Sequence, residues 1–237
     1  MIQGAPVITI DGPAGSGKGT IAKALVKCLR WHYLDSGAIY RALALAARLN
    51  LNQIDRRDTT SLCQLAHHLP LKFVTDAENG LVSIYLEDQC VTDKLYSEAI
   101  GGLASELSAI KEIRTALLDR QRAFRQAPGL VTDGRDMGTV VFPDAELKIF
   151  LYADSKERAR RRFKQLQNNG FGGTIADIER ELARRDARDC QREVAPLVAA
   201  EDAVQIDSSH RSIDEVLSAV MVEVKQCFDL GSKAVFG

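Results

Sequence analysis

The chain alternates short apolar runs with segments of helical period. Val7–Asp11 is an apolar run of strand length, and after the next loop Ile21, Leu25, Cys28 and Leu29 fall on one helix face. Tyr33 and Leu34 read as a short second strand ending at Asp35-Ser36-Gly37, and a second helix runs through Ile39, Leu43, Ala46 and Ala47. Near Leu71 the pattern changes. Leu71-Lys72-Phe73-Val74 and residues 81–86 are strand-like, Asn79-Gly80 between them is a hairpin signal, and Cys90-Val91 reads as a third short strand. A helical stretch over 97–126 leads to the strand Leu130-Val131-Thr132, which ends in Asp133-Gly134-Arg135-Asp136. Residues 147–153 form another strand, after which Asp154 and Glu157 open an arginine-rich helix. A polar, glycine-rich turn at 168–173 suits a mobile lid, and Thr174 with Asp177 opens the next helix. Residues 204–206 are a last strand. Ser212 and Glu215 then form a capping box before a helix that aligns Ile213, Val216, Leu217, Val220 and Val224.

Strands that alternate with helices imply an α/β fold: a parallel sheet flanked by helices, with ligands at the carboxyl ends of its strands. The antiparallel module at about 66–96 interrupts that alternation and reads as an insertion. The expected organisation is one domain over 1–230. Its core would comprise 1–65, 97–153 and 195–230, with the inserted subdomain at 66–96, a lid region at 154–194 and a flexible tail at 231–237.

Composition narrows the function. The 237 residues are 46% hydrophobic and 27% charged with a net charge of -1, so no global field draws the chain to nucleic acid or a membrane. The five cysteines are widely spaced without a CxxC pair, which argues against a disulfide framework or zinc site and for a reducing compartment. No apolar run reaches the length of a membrane span, and no basic leader precedes an apolar segment, so a cytoplasmic enzyme is expected. Between Arg158 and Arg192 stand nine arginines against one lysine, Lys164. Arginine's planar fork matches phosphate, so this bias points to anion recognition.

The strongest chemical signal follows the first strand: Gly12, Pro13, Ala14, Gly15, Ser16, Gly17, Lys18, Gly19, Thr20. A strand feeding a glycine-rich turn and a helix lets backbone N–H groups converge on phosphate oxygens, with Lys18 adding a full charge at the β- and γ-phosphates. The segment fits G-x-x-x-x-G-K with one departure. Gly19 takes the place where a hydroxyl usually meets Mg²⁺, and Thr20 follows one residue later, so Thr20 is expected to act through water or at the α-phosphate. An acid at the end of a core strand, here Asp133, is where such enzymes hold Mg²⁺ or its water shell. In the last cluster Arg185, Arg188 and Arg192 share a helix face, and Glu181 precedes Arg185 by the spacing of an ion pair. Arg158, Arg160, Arg161 and Arg162 cannot all share one face.

Four blocks together resemble the bacterial cytidylate kinases of the nucleoside monophosphate kinase family: residues 12–20, 35–42, 133–145 and 185–197. With the segments between them the resemblance covers about 5–225, and the 66–96 insertion resembles that family's monophosphate-binding domain. It implies a P-loop kinase fold, and transfer of the γ-phosphoryl group of ATP to CMP or dCMP with Mg²⁺. Ser36, Arg41 and Arg135 would then hold the acceptor phosphate, with Asp136 in support and Tyr40 in the same acceptor site. Ser105, Arg114 and Arg192 would read cytosine, Arg185 and Asp189 would meet the ribose, and Arg158, Arg161 or Arg162 would close from the lid. A monomer is implied. Adenylate kinases carry Asp-Gly-Phe-Pro-Arg where this chain has Asp133-Gly134-Arg135-Asp136, which weighs against that rival; a uridylate-type acceptor is a further alternative. A GTPase-like switch would show Asn-Lys-x-Asp, which is absent from the sequence.

Overall fold

A computed structural model describes residues 4–49, 58–75, 82–168 and 173–228. Its contacts group the chain into two compact units, one of residues up to 34 and from 124 onward, the other of residues 35–123.

The first unit is built on a five-stranded sheet. Its strands are β1 (Val7–Asp11), β2 (His32–Asp35), β6 (Leu130–Gly134), β7 (Leu147–Tyr152) and β8 (Val204–Asp207), in the order β2-β6-β1-β7-β8. β1 runs parallel to both β6 and β7, and β7 runs parallel to β8. β1 and β6 are buried along their whole length, as expected of central strands covered on both faces. The register sets Ile10 opposite Asp133 and Asp11 opposite Gly134, so the glycine loop and the acidic end of β6 emerge at one edge. Around the sheet lie α1 (Lys18–Leu29), α7 (Ser155–Asn168), α8 (Ile175–Gln191) and α9 (Ile213–Cys227). α7 and α8 pair through Ala159, Leu166, Ile178 and Leu182, and Ala14 of the glycine loop packs on that cluster. The expected helix starts are present. Asp154 accepts from the Glu157 N–H, Thr174 accepts from the Asp177 N–H, and Ser212 with Glu215 completes both halves of a capping box.

The second unit holds α2 (Ser36–Leu49), α3 (Thr59–His67), an antiparallel sheet of β3 (Leu71–Thr75), β4 (Val82–Leu86) and β5 (Gln89–Cys90), then α4 (Thr92–Leu95), α5 (Glu98–Leu107) and α6 (Lys111–Arg122). α2 packs on α5 and α3 on α6, so helices are grouped with the small sheet. Three local details differ from the sequence reading. α3 was not expected: only Leu62 and Ala66 are buried on it, too thin an apolar stripe to show as a period. The helix expected over 97–126 is two helices, broken where Ser108 caps α5 and Ile110 turns extended ahead of α6. Val91 is buried next to β5 but stands outside it. The Asn79-Gly80 turn, most of the turn at 168–173 and the tail at 231–237 lie outside the described residues.

Candidate active site

The loop between β1 and α1 takes a positive φ at three glycines, Gly12, Gly15 and Gly17. Gly12 has φ 152°, and a Cβ there would stand 2.0 Å from the Leu151 carbonyl oxygen. Gly17 is left-handed at φ 94° and caps α1, whose first residue is Lys18. The Lys18 ammonium folds back over the loop and donates to the Pro13 carbonyl oxygen at 3.1 Å. The Ser16 hydroxyl is fully buried and has no hydrogen-bond partner among the described residues. Thr20 is exposed on the outer side of α1.

Side chains of α7 and of the segment after β8 brace this loop. Ser208, just past β8, is buried and donates to the Ser16 carbonyl oxygen at 2.9 Å. Arg161 on α7 reaches the same carbonyl at 3.4 Å and the Ser208 hydroxyl at 3.0 Å, and Glu157 receives its Nε at 2.9 Å. Those arginines, Arg160 first and then Arg161, hold the Glu157 carboxyl below the ordinary glutamate range against a partial burial penalty. Arg158 is buried, donates to Ala153 and Ala14 carbonyl oxygens at 3.0 and 3.2 Å, and pairs with Asp186 of α8. Arg162 is also buried and donates to Gln165 at 2.8 Å, whereas Arg160 is exposed and bound to Glu157. Of these four α7 arginines, two therefore hold carbonyl groups of the glycine loop.

The end of β6 supplies the acidic side. Asp133 is buried, its Oδ1 accepts from the Tyr33 hydroxyl at 2.7 Å, and its Oδ2 is 3.7 Å from where a Cβ on Gly19 would sit. The carboxylate thus lies against the start of α1, one residue past Lys18. Next comes a π-helical turn, Met137–Val141, that nothing in the sequence pattern announces. Asp11 fixes it, its two carboxylate oxygens accepting from the N–H groups of Met137 and Gly138 at 2.9 and 2.8 Å. Burial pushes the Asp11 carboxyl up to about 6, with the Asp136 charge adding to the rise, while those two hydrogen bonds and Lys18 pull it back.

Arg135 and Asp136, at the head of that turn, are both paired. Arg135 donates from Nε to Asp189 at 2.8 Å. Burial opposes its charge, and the Asp189 carboxylate outweighs burial, so the guanidinium stays charged above the ordinary arginine range. Asp136 faces Arg192 at 3.5 Å, with both side chains almost fully buried. Arg192 is the C-cap of α8 with extended backbone, not a continuation of the Arg185 face, and its Nε donates to the Ala195 carbonyl oxygen. Arg185 is buried and bound to Glu181 at 3.2 Å, as the spacing implied.

In the second unit Ser36 opens α2 and its buried hydroxyl donates to Gln121 Oε1 at 2.7 Å. The Tyr40 ring carries the Arg114 guanidinium at 5.7 Å, and Arg114 donates to the Ser108 carbonyl oxygen at 3.1 Å. Ser108 in turn donates to the Ser105 carbonyl oxygen at 3.0 Å, so Ser105 and Arg114 belong to one network. Arg41 lies over the Tyr96 ring at 5.2 Å. Sequence reasoning passed over Asp11, Tyr33, Tyr96, Gln121 and Ser208. Asp11 ends the strand before the loop and Ser208 follows the last strand, so both could have been found as strand-end residues. The others had no local signal.

The cytidylate kinase family model matches residues 8–226. The chain belongs to the cytidylate kinase family. A protein named cytidylate kinase from Nitrosococcus oceani is 52% identical over 221 residues, covering 93% of this chain and 96% of that protein. Those of Stutzerimonas stutzeri and Pseudomonas fluorescens are 53% and 54% identical, covering 94% and 93% of this chain and 97% and 95% of theirs. A cytidylate kinase family member works on nucleotides with ATP as co-substrate. The five-stranded sheet with its phosphate loop at the carboxyl edge is the P-loop kinase fold expected from the sequence. Among the described residues, no helix is long and apolar enough to cross a membrane.

Proposed function

We propose that the protein transfers the γ-phosphoryl group of ATP to CMP or dCMP, giving ADP and CDP or dCDP, and does so with Mg²⁺ as a cytoplasmic monomer. The observation that carries this is the family match over residues 8–226, which takes in the phosphate loop and the 133–145 block alike.

The residues support the chemistry. A phosphate oxygen of the acceptor attacks the γ-phosphorus in line and ADP leaves, with no covalent enzyme intermediate. The protein's task is to position both anions and to neutralise charge on the equatorial oxygens. Residues 12–20 supply N–H donors and Lys18 supplies the cation at the phosphates. Bound Mg²⁺ would neutralise phosphate charge, and Asp133, a buried carboxylate against the start of α1, fits a hydrated ion held mainly by phosphates. Thr20, exposed one residue beyond Gly19, would take part through water.

On the acceptor side, Ser36, Arg41 and Arg135 are assigned to the monophosphate with Asp136 supporting them. Ser105, Arg114 and Arg192 are assigned to the base, Arg185 and Asp189 to the ribose, and Tyr40 to the same acceptor site. Arg158 and Arg161 hold the loop's carbonyl groups, and these two or Arg162 are assigned to phosphate as a lid over 154–194 closes and excludes water. The inserted monophosphate-binding segment is assigned to 66–96.

An ADP-release assay with ATP and Mg²⁺ tests the reading, offering CMP, dCMP, UMP, AMP and GMP in parallel. The expected result is turnover with CMP and dCMP well above the others. Turnover with AMP alone would keep the phosphate loop and remove the acceptor assignment, and no ADP with any acceptor would leave a nucleotide-binding switch.

A further inference from the structure

We propose that Tyr96 is a positioning residue for Arg41, presenting its guanidinium to the acceptor's phosphate; this rests on the reading above that the acceptor is a nucleoside monophosphate. Tyr96 follows α4 and is half-buried. Its hydroxyl donates to Asp35 Oδ2 at 3.0 Å. The other oxygen of the same carboxylate accepts from the Ala38 N–H at 3.0 Å, in the first turn of α2. The ring that carries Arg41 is therefore anchored to the start of the helix on which Arg41 itself stands. The guanidinium carbon lies 5.2 Å from the ring centroid, and Nη1 reaches the Leu95 carbonyl oxygen at 3.4 Å, near the outer limit of a hydrogen bond.

A cation–π contact with an anchored ring favours one placement of the Arg41 guanidinium. It also limits the rotamers of a long side chain, which lowers the entropy lost when the anion binds. Ser36, on the same first turn as the Ala38 N–H, is held by Gln121, so Asp35 and Gln121 together fix both acceptor-phosphate candidates of α2.

The test compares Tyr96→Phe and Tyr96→Leu with the wild type, reading kcat, KM for CMP, KM for ATP and the melting temperature. Loss of the ring in Tyr96→Leu is expected to raise KM for CMP about tenfold while KM for ATP stays within about twofold. Tyr96→Phe keeps the ring and loses the Asp35 anchor, so its KM for CMP should fall between the two. A KM for CMP unchanged in Tyr96→Leu, or both KM values rising together, overturns the proposal. Should Tyr96→Leu not fold, an unchanged KM for CMP in Tyr96→Phe overturns it alone. The Arg41 Nε–H resonance, assigned through Arg41→Lys, reads the contact without substrate: its ring-current shift should be lost in Tyr96→Leu, and no change overturns the proposal. A wild-type enzyme that ignores CMP fails the functional reading instead, and this resonance still decides the contact.

Discussion

Lys18 shows how much one residue's role depends on its backbone. Its ammonium is aimed by a left-handed Gly17 and rests on the Pro13 carbonyl oxygen, inside the loop that would wrap the phosphates. Lys18→Ala removes that ammonium and should remove turnover while sparing the fold. The expected loss in kcat is at least about 10²–10³, with a melting temperature within a few degrees of wild type. Retained activity would remove the phosphate-loop assignment. At this scale the sequence was legible where spacing carries chemistry: residues 12–20 and 133–136 sit at one sheet edge as their strand ends implied. It was silent on partners. That Arg135 meets Asp189, Arg158 meets Asp186 and Ser36 meets Gln121 depends on elements far apart in the chain, and no local pattern encodes such pairs.

Elements whose period is strong were legible, and those stabilised by their surroundings were not. α9 declares itself by a capping box and an apolar stripe, whereas α3 rests on two buried side chains and an Asp58 cap accepting from Thr60 and Ser61 N–H groups. The π-helical turn at Met137–Val141 has no period at all; the buried Asp11 carboxylate selects it by taking two of its N–H groups. The loop from β8 to α9 is a similar case, since it reads as a plain connection. Ser208 there ties the Ser16 and Tyr152 carbonyl oxygens together and carries Arg161. Ser208→Ala keeps the volume nearly constant but leaves a buried carbonyl short of a donor, a cost of about 1–3 kcal/mol. Because the loosened segment is the phosphate loop, KM for ATP should rise several-fold while KM for CMP changes little. Equal changes in both, measured by steady-state kinetics, would show that Ser208 supports the unit at large and not the loop.

Over the whole molecule, the α/β class and parallel sheet followed from strand–helix alternation, while the grouping of 35–123 into a second unit reflects helix packing that composition does not record. The balance of charges across that fold has a measurable consequence in its pH dependence. Burial raises the Asp11 pKa to about 6 from an ordinary 3.8, so the native state holds its proton more tightly than the unfolded chain. A raised pKa contributes stability in full below the unfolded value and loses it as pH rises through the folded one. The shift of about two pH units corresponds to about 3 kcal/mol, lost between about pH 4 and 6. Asp58, Asp177, Asp202 and Asp207 oppose it: hydrogen-bonding partners depress their pKa, so their contributions hold at neutral pH and fade only below about 4. All four are largely exposed, and solvent screening keeps each of these contributions small. Stability is therefore expected to rise on acidification from pH 7 to about 5 and to fall below about 4. Asp11→Asn cannot titrate, so its melting temperature should be flat between pH 5 and 7 where the wild type slopes. Its amide offers one acceptor oxygen in place of two, so its turn at Met137–Val141 should also loosen and turnover should fall at every pH. A variant with the wild-type slope would mean that another group carries the proton, and the Asp11 carboxylate would then be ionised throughout the neutral range.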